Sequence, residues 1–186
     1  MLEQNYRCLY LNSPPMVAGM RSYLAAEGVN VAREVARGSL VLSSEQHLRG
    51  GSFDADAMMQ TLADSLRQAL QDGHAGLWAS GDMAWEFGPR KDFTRLLEYE
   101  WRLEEFFHAH PQLSGICQYH AETLPDDALR KGLTAHPSLF LNETLTLVNP
   151  YYVRPEAFTH ESTANPEIAS TLGRLCRFDE GLGTRD

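Results

Sequence analysis

Cysteine is scarce in this chain. Cys8, Cys117 and Cys176 are odd in number, far apart and outside any CxxC pattern. That usage excludes a disulfide framework and a thiolate zinc site, and it fits a reducing compartment. Long apolar runs are also missing. No stretch approaches the ~18 residues that read as a membrane span, and the opening residues Met1 to Asn5 lack the basic and apolar regions of a signal peptide. The expectation is therefore a cytoplasmic protein with no membrane partner. Positive charge is in short supply: 16 Lys and Arg against 25 Asp and Glu leave a formal charge of -9. Such a field repels phosphate backbones. The densest basic steps, Arg90-Lys91 and Arg130-Lys131, stand isolated near Asp residues, so direct nucleic-acid binding is not expected.

Several catalytic signatures are absent from the sequence as well. Neither GxxxxGK[ST] nor GxGxxG occurs, so no strand leads into a recognisable nucleotide loop. There is no GxSxG elbow to activate Ser43 or Ser80, which read as small residues at strand ends. Seven histidines invite a metal, yet HExxH is missing, and His108 and His110 lie too close in sequence to share a helix face. No metal and no cofactor are expected on these grounds.

What is present suits a packed α/β fold. A hydrophobic share of 43%, with aromatics spread along the chain, argues against disorder. The reading assigns residues 1–158 to one domain and residues 159–186 to a polar tail. Residues 6–11 read as a buried strand, followed by a helix that Pro14 and Pro15 open and that runs to Gly28. A short helix over 31–37 ends at Gly38, and residues 39–43 form the next strand. Gly50 and Gly51 punctuate the chain before a long helix whose Met58, Leu62, Leu66 and Leu70 recur at i+4, with Gly73 after its end. A third strand over 75–80 closes at Gly81-Asp82. A second long helix is expected over 92–110, a fourth strand over 113–119, a helix over 125–135, and a fifth strand over 138–141 with a hairpin partner over 144–148. In the tail, Asn165-Pro166-Glu167 reads as a helix start, with Ile168, Leu172 and Leu175 on one side.

Strands alternating with helices imply a mostly parallel sheet covered on both faces, an α/β/α sandwich of three layers. Ligands in such sheets sit beyond the carboxyl ends of the strands. Ser43, Glu45, Arg49, Asp82, Trp85, Tyr119 and His120 are therefore expected around one cleft. Arg49-Gly50-Gly51-Ser52 has the letters of an anion-holding helix start, with exposed N–H groups and a guanidinium alongside. A plain turn using glycines at positive φ explains the same letters. Tyr99 and Glu100 lie within the second long helix, and an inward Glu100 needs a partner such as Arg49 or a ligand donor.

Seven stretches taken together resemble the MEDS family, the methanogen/methylotroph DcmR-type sensory domains. They are Cys8 to Leu11 with Gly28 to Val31, Leu48 to Asp54, Ser80 to Trp85, Leu97 to Glu100, Cys117 to Tyr119, and His136-Pro137. The resemblance spans residues 6–155 and implies a degenerate RecA- or KaiC-like fold lacking its first strand, phosphate loop and helix. It also implies sensing of a small organic ligand, without catalysis, and output through a regulatory protein such as a kinase, an anti-sigma factor or a transcription factor. A homodimer is expected to cover the sheet edge that the short N-terminus leaves bare. Two alternatives compete with the sensory reading: a small enzyme using Asp82, Glu100 and His120 as acid-base groups, and a pure protein-interaction module.

Overall fold

A computed structural model of the chain describes residues 1–140 and 146–155. The chain divides into two compact units, residues 1–93 with 102–120, and residues 94–101 with 121–186.

The first unit begins with β1 (Tyr6–Leu11), whose near-continuous apolar run, broken by Arg7, suits a strand covered on both faces. Pro14 and Pro15 then start α1 (Pro14–Ala26), since a first-turn proline gives up an N–H that has no helical partner. Helix α2 (Val31–Ala36) is capped by Asn30, whose side chain accepts from Arg33 N at 3.0 Å. It leads into β2 (Leu40–Ser43). A small antiparallel hairpin follows, β3 (Leu48–Arg49) with β4 (Ser52–Phe53). Asp54 then caps α3 (Ala55–Gln71), which buries Ala55, Met58, Leu62, Leu66 and Ala69 along one stripe. Next come β5 (Gly76–Asp82), the single turn α4 (Met83–Glu86), α5 (Leu96–Ala109), of which residues 96–101 count with the second unit, and β6 (Leu113–Gln118).

All four long strands run parallel in the order β2-β1-β5-β6. The chain steps from β1 outward to β2, then crosses β1 to reach β5. With right-handed crossovers, α1 and α2 cover one face of the sheet while α3 and α5 cover the other, which gives the three-layer α/β/α fold. The reversal of direction lies between β1 and β5, where Leu11 pairs with Gly81. β5 bonds directly to β6, so the sheet has no central gap. At its amino end Arg7, only 7% exposed, donates from Nε to the Gly38 carbonyl at 2.7 Å and pairs with Asp72.

In the second unit, α6 (Asp126–Ala135) runs into an antiparallel hairpin, β7 (Ser138–Phe140) with β8 (Thr146–Val148). Asn149 is buried and ties the hairpin to the helix end: its side-chain amide donates to the Leu133 and His136 carbonyls, and its N–H donates to Pro137 O.

Two expectations need adjustment, and a third falls outside the described residues. The long helix starts at Leu96 rather than at residue 92, because Phe93 is drawn into a ring contact with Phe87, centroids 5.0 Å apart, and the chain turns there. The fifth strand does not extend the parallel sheet. Residues next to it in sequence satisfy its backbone groups, so no crossover is needed. The tail helix and the boundary after residue 158 lie outside the described residues.

Candidate functional site

Parallel register places successive strand ends at one edge of the first unit. Tyr10 pairs with Leu42 and with Ser80, and Asp82 pairs with Gln118. Side chains two apart in a strand share a face, and register partners on neighbouring strands share it too. Tyr10, Ser80 and Asp82 therefore line one side of the sheet where the strand order reverses, with Asn12 just beyond the end of β1. All four are buried, at 6%, 3%, 6% and 1% exposure in that order. Polar groups so far from water normally have their bonds made, so each one invites an accounting.

Asn12 has both ends of its side-chain amide engaged: its Nδ2 donates to the Tyr10 hydroxyl at 2.9 Å, its Oδ1 accepts from Ser13 N at 2.7 Å, and its own backbone N–H donates to the Ser43 carbonyl at 3.2 Å. Asp82 is half used. Its Oδ1 caps α4 by accepting from Ala84 N at 2.8 Å and Trp85 N at 3.2 Å, whereas its Oδ2 lies 4.0 Å from His120 Nε2. The Ser80 hydroxyl has no hydrogen-bond partner among the described residues. Burial pushes the Tyr10 phenol above its ordinary value, the Asn12 amide opposes that, and the Asp82 charge adds to it. Tyr10 is thus a neutral group that feels Asp82.

The elements around this edge are braced from the first unit itself. Gln46 Nε2 donates to the Trp85 carbonyl at 2.5 Å, linking the segment after β2 to α4. Phe87, which ends α4, stacks on Phe53 with ring centroids 4.4 Å apart. Gly88, at φ +67°, a conformation that favours glycine, lies against the Leu48 side chain. Gly81 has no room for a Cβ either, because Glu86 Oε1 occupies that position.

The sequence-derived residues distribute as follows. Asp82 and His120 face one another, and Trp85 follows from the same cap. Tyr119 succeeds Gln118 and so lies at the same edge as Asp82. Ser43 supplies its carbonyl to Asn12 and its hydroxyl to the Glu45 N–H at 3.1 Å, while Glu45 is exposed. Gly50 and Gly51 form the tip of the β3–β4 hairpin at φ +59° and +82°, a turn conformation that suits glycine. Arg49 is held by Asp54 at 2.8 Å, so a carboxylate of the chain itself occupies the start of α3. Tyr99 and Glu100 belong to the second unit, where both are buried and Glu100 Oε2 lies 3.3 Å from His136 Nε2. His136 Nδ1 is 2.7 Å from the Gly132 carbonyl. Tyr10, Ser80 and Gln46 were not singled out as site residues from sequence. The period-two pairs Tyr10/Asn12 and Ser80/Asp82 carry the signal that would have found the first two.

A sequence model of one family matches residues 1–137: MEDS, the methanogen/methylotroph, DcmR sensory domain. No curated protein and no solved structure matches the chain.

Proposed function

The chain belongs to the MEDS family of sensory domains, and from that premise we propose that it is a regulatory module that binds a small organic molecule at the carboxyl edge of its parallel sheet. The observation that carries the site assignment is the unpartnered, buried Ser80 hydroxyl beside the half-used Asp82 carboxylate. Leaving the Ser80 hydroxyl unmet costs about 1–3 kcal/mol, a cost that a bound ligand would recover. Between them they offer mainly acceptor capacity next to a negative charge. The ligand that fits is a small neutral or cationic molecule with N–H or O–H donors, and a carboxylate or phosphate is disfavoured. Trp85 and the apolar residues of β1 and β5 would meet its carbon skeleton.

Signal transfer follows from what Asp82 already does. One carboxylate oxygen holds the start of α4 while the other faces His120 at 4.0 Å, and Gln46 connects α4 to the segment between β2 and β3. A ligand that draws on Oδ2 would shift the balance between these two duties, and a partner protein would read the displaced segment. The test is thermal shift with fractionated metabolite mixtures on the wild type and on Asp82→Asn and Ser80→Ala. Stabilisation by a fraction, lost in both variants, supports the reading. A shift that both variants retain sends the ligand elsewhere, and turnover of the stabilising compound would make the protein an enzyme.

A further inference from the structure

Helix α1 is unusual in composition and burial together. It has 13 residues, a single charge at Arg21, and no buried residue. Elsewhere the chain averages strongly acidic, with -9 overall. Val17, Met20 and Leu24 are half-buried, whereas Met16 and Tyr23 are 45% and 61% exposed. Between them, Gly19 has nothing within 4 Å of where a Cβ would stand. On a helix, Met16, Gly19 and Tyr23 form an exposed ridge with a notch at Gly19, and half-buried Met20 flanks it. A solvent-facing helix normally carries charge on its outer side, and this one does not.

We propose that this ridge is the contact surface of a symmetric homodimer in which α1 packs antiparallel against the partner's α1. The residue order is self-complementary. A two-fold axis passing between positions 19 and 20 sets Met16 against the partner's Tyr23, a favourable sulfur–aromatic contact. The same axis drops Met20 into the notch at the partner's Gly19, and each contact occurs twice, as an isologous interface requires. Charge agrees with this arrangement. Exposed Glu27, just past the end of α1, comes to the start of the partner's α1, where Ser13 makes no side-chain cap and the dipole is positive. A strongly acidic partner would find only Arg21 on this surface, and a basic one would find no acid within the ridge. Two copies of an acidic chain can approach where acid is missing.

The contact is small. A helix of this length offers a footprint about 20 Å long and about 10 Å wide, well below the roughly 800 Å² per partner of a standard interface. The dimer should therefore dissociate on dilution. Light scattering with the full chain from about 1 to about 200 μM, a range suited to so small a contact, should show a mass rising from 20.9 kDa toward twice that value. Gly19→Glu fills the notch from a position whose Cβ would meet nothing of its own chain, so it should stay at the monomer mass with a melting temperature no lower than that of the wild type, since Glu suits a helix interior better than Gly. Tyr23→Glu, at an exposed position, serves the same purpose if the first variant folds poorly. A wild type that is monomeric throughout overturns the proposal. So does a dimer that both variants preserve, which would place the contact on another surface. A monomeric wild type that melts lower in both variants would mean that the chain covers α1 with its own residues, and it would overturn the proposal as well.

Discussion

The two ends of the parallel sheet treat their polar groups differently: buried Arg7 meets the exposed Asp72 at the amino end, whereas four buried polar residues lie together at the carboxyl end. At the amino end, Arg7 gives its Nε to Gly38 O and its guanidinium to Asp72, and Asp72 in turn accepts from Gln68 Nε2 at 2.8 Å. These groups satisfy one another. At the carboxyl end, Tyr10, Asn12, Ser80 and Asp82 are buried to the same degree, yet the Ser80 hydroxyl is unmatched and one oxygen of Asp82 faces His120 at 4.0 Å. A fold gains nothing from unspent bonding capacity in its interior. The unmatched Ser80 hydroxyl, where the strand order reverses and ligands of such sheets sit, fits the proposal that the amino end serves stability and the carboxyl end serves binding.

The largest test of that contrast is Arg7→Ala. It removes a charge-assisted hydrogen bond to the Gly38 carbonyl and a buried stem, at a cost of roughly 1.5–3 kcal/mol. Chemical denaturation should show a lower midpoint at unchanged slope. A loss within experimental error would mean that the amino end is no anchor. The next largest effect should have the opposite sign. In the absence of ligand, Ser80→Ala deletes an unmet hydroxyl and should stabilise the fold by up to about 1 kcal/mol. If it destabilises instead, the hydroxyl is already satisfied and the two ends are alike.

A smaller effect belongs to acid. The Gln68 amide, and after it Arg7, holds the Asp72 carboxyl below its ordinary value. A depressed folded-state value means that the stabilisation is present above the unfolded-state value, near 4, and disappears as pH falls through the folded one. Asp72→Asn should therefore flatten the acid limb of stability against pH, while Ser80→Ala leaves that limb in place. Equal slopes for Asp72→Asn and wild type would remove Asp72 from the account.

Much of this contrast was legible in the sequence, and the missing part has physical causes. Four parallel strands and the intervening helices follow from apolar periodicity and from the stops at Gly28, Gly38 and Gly73. The strand-end rule then brought forward Asp82 and His120. What periodicity does not carry is pairing register. Ser80 looked like a small residue at a strand end because its neighbour across the ladder, Tyr10, lies 70 positions away. The Gly50-Gly51 step fitted either a helix-start anion cradle or a turn. Its outcome depended on Arg49 meeting Asp54, a contact that local propensity does not specify. The start of α5 depended likewise on Phe93 packing against Phe87.

The smallest effect concerns Tyr10, and it is the most specific to the carboxyl end. Burial, and after the Asn12 bond the charge of Asp82, set its phenol above the ordinary value. A raised folded-state value means that the contribution to stability is complete below the unfolded-state value, about 10, and is lost only as pH rises through the folded one. At neutral pH, Tyr10→Phe should therefore change the acid–base part of stability not at all. In alkali, the ultraviolet absorbance of the phenolates should show one tyrosine titrating late, and the difference between wild type and Tyr10→Phe isolates it. Asp82→Asn takes away the negative neighbour and should move this titration to lower pH. Asn12→Ala takes away the donor that favours the phenolate and should move it higher. Opposite shifts from two residues on opposite sides of the strand reversal would establish that Tyr10, Asn12 and Asp82 share one electrostatic environment. A Tyr10 that titrates with the exposed tyrosines and ignores both substitutions would separate them, and the carboxyl end would then be no more a site than the amino end.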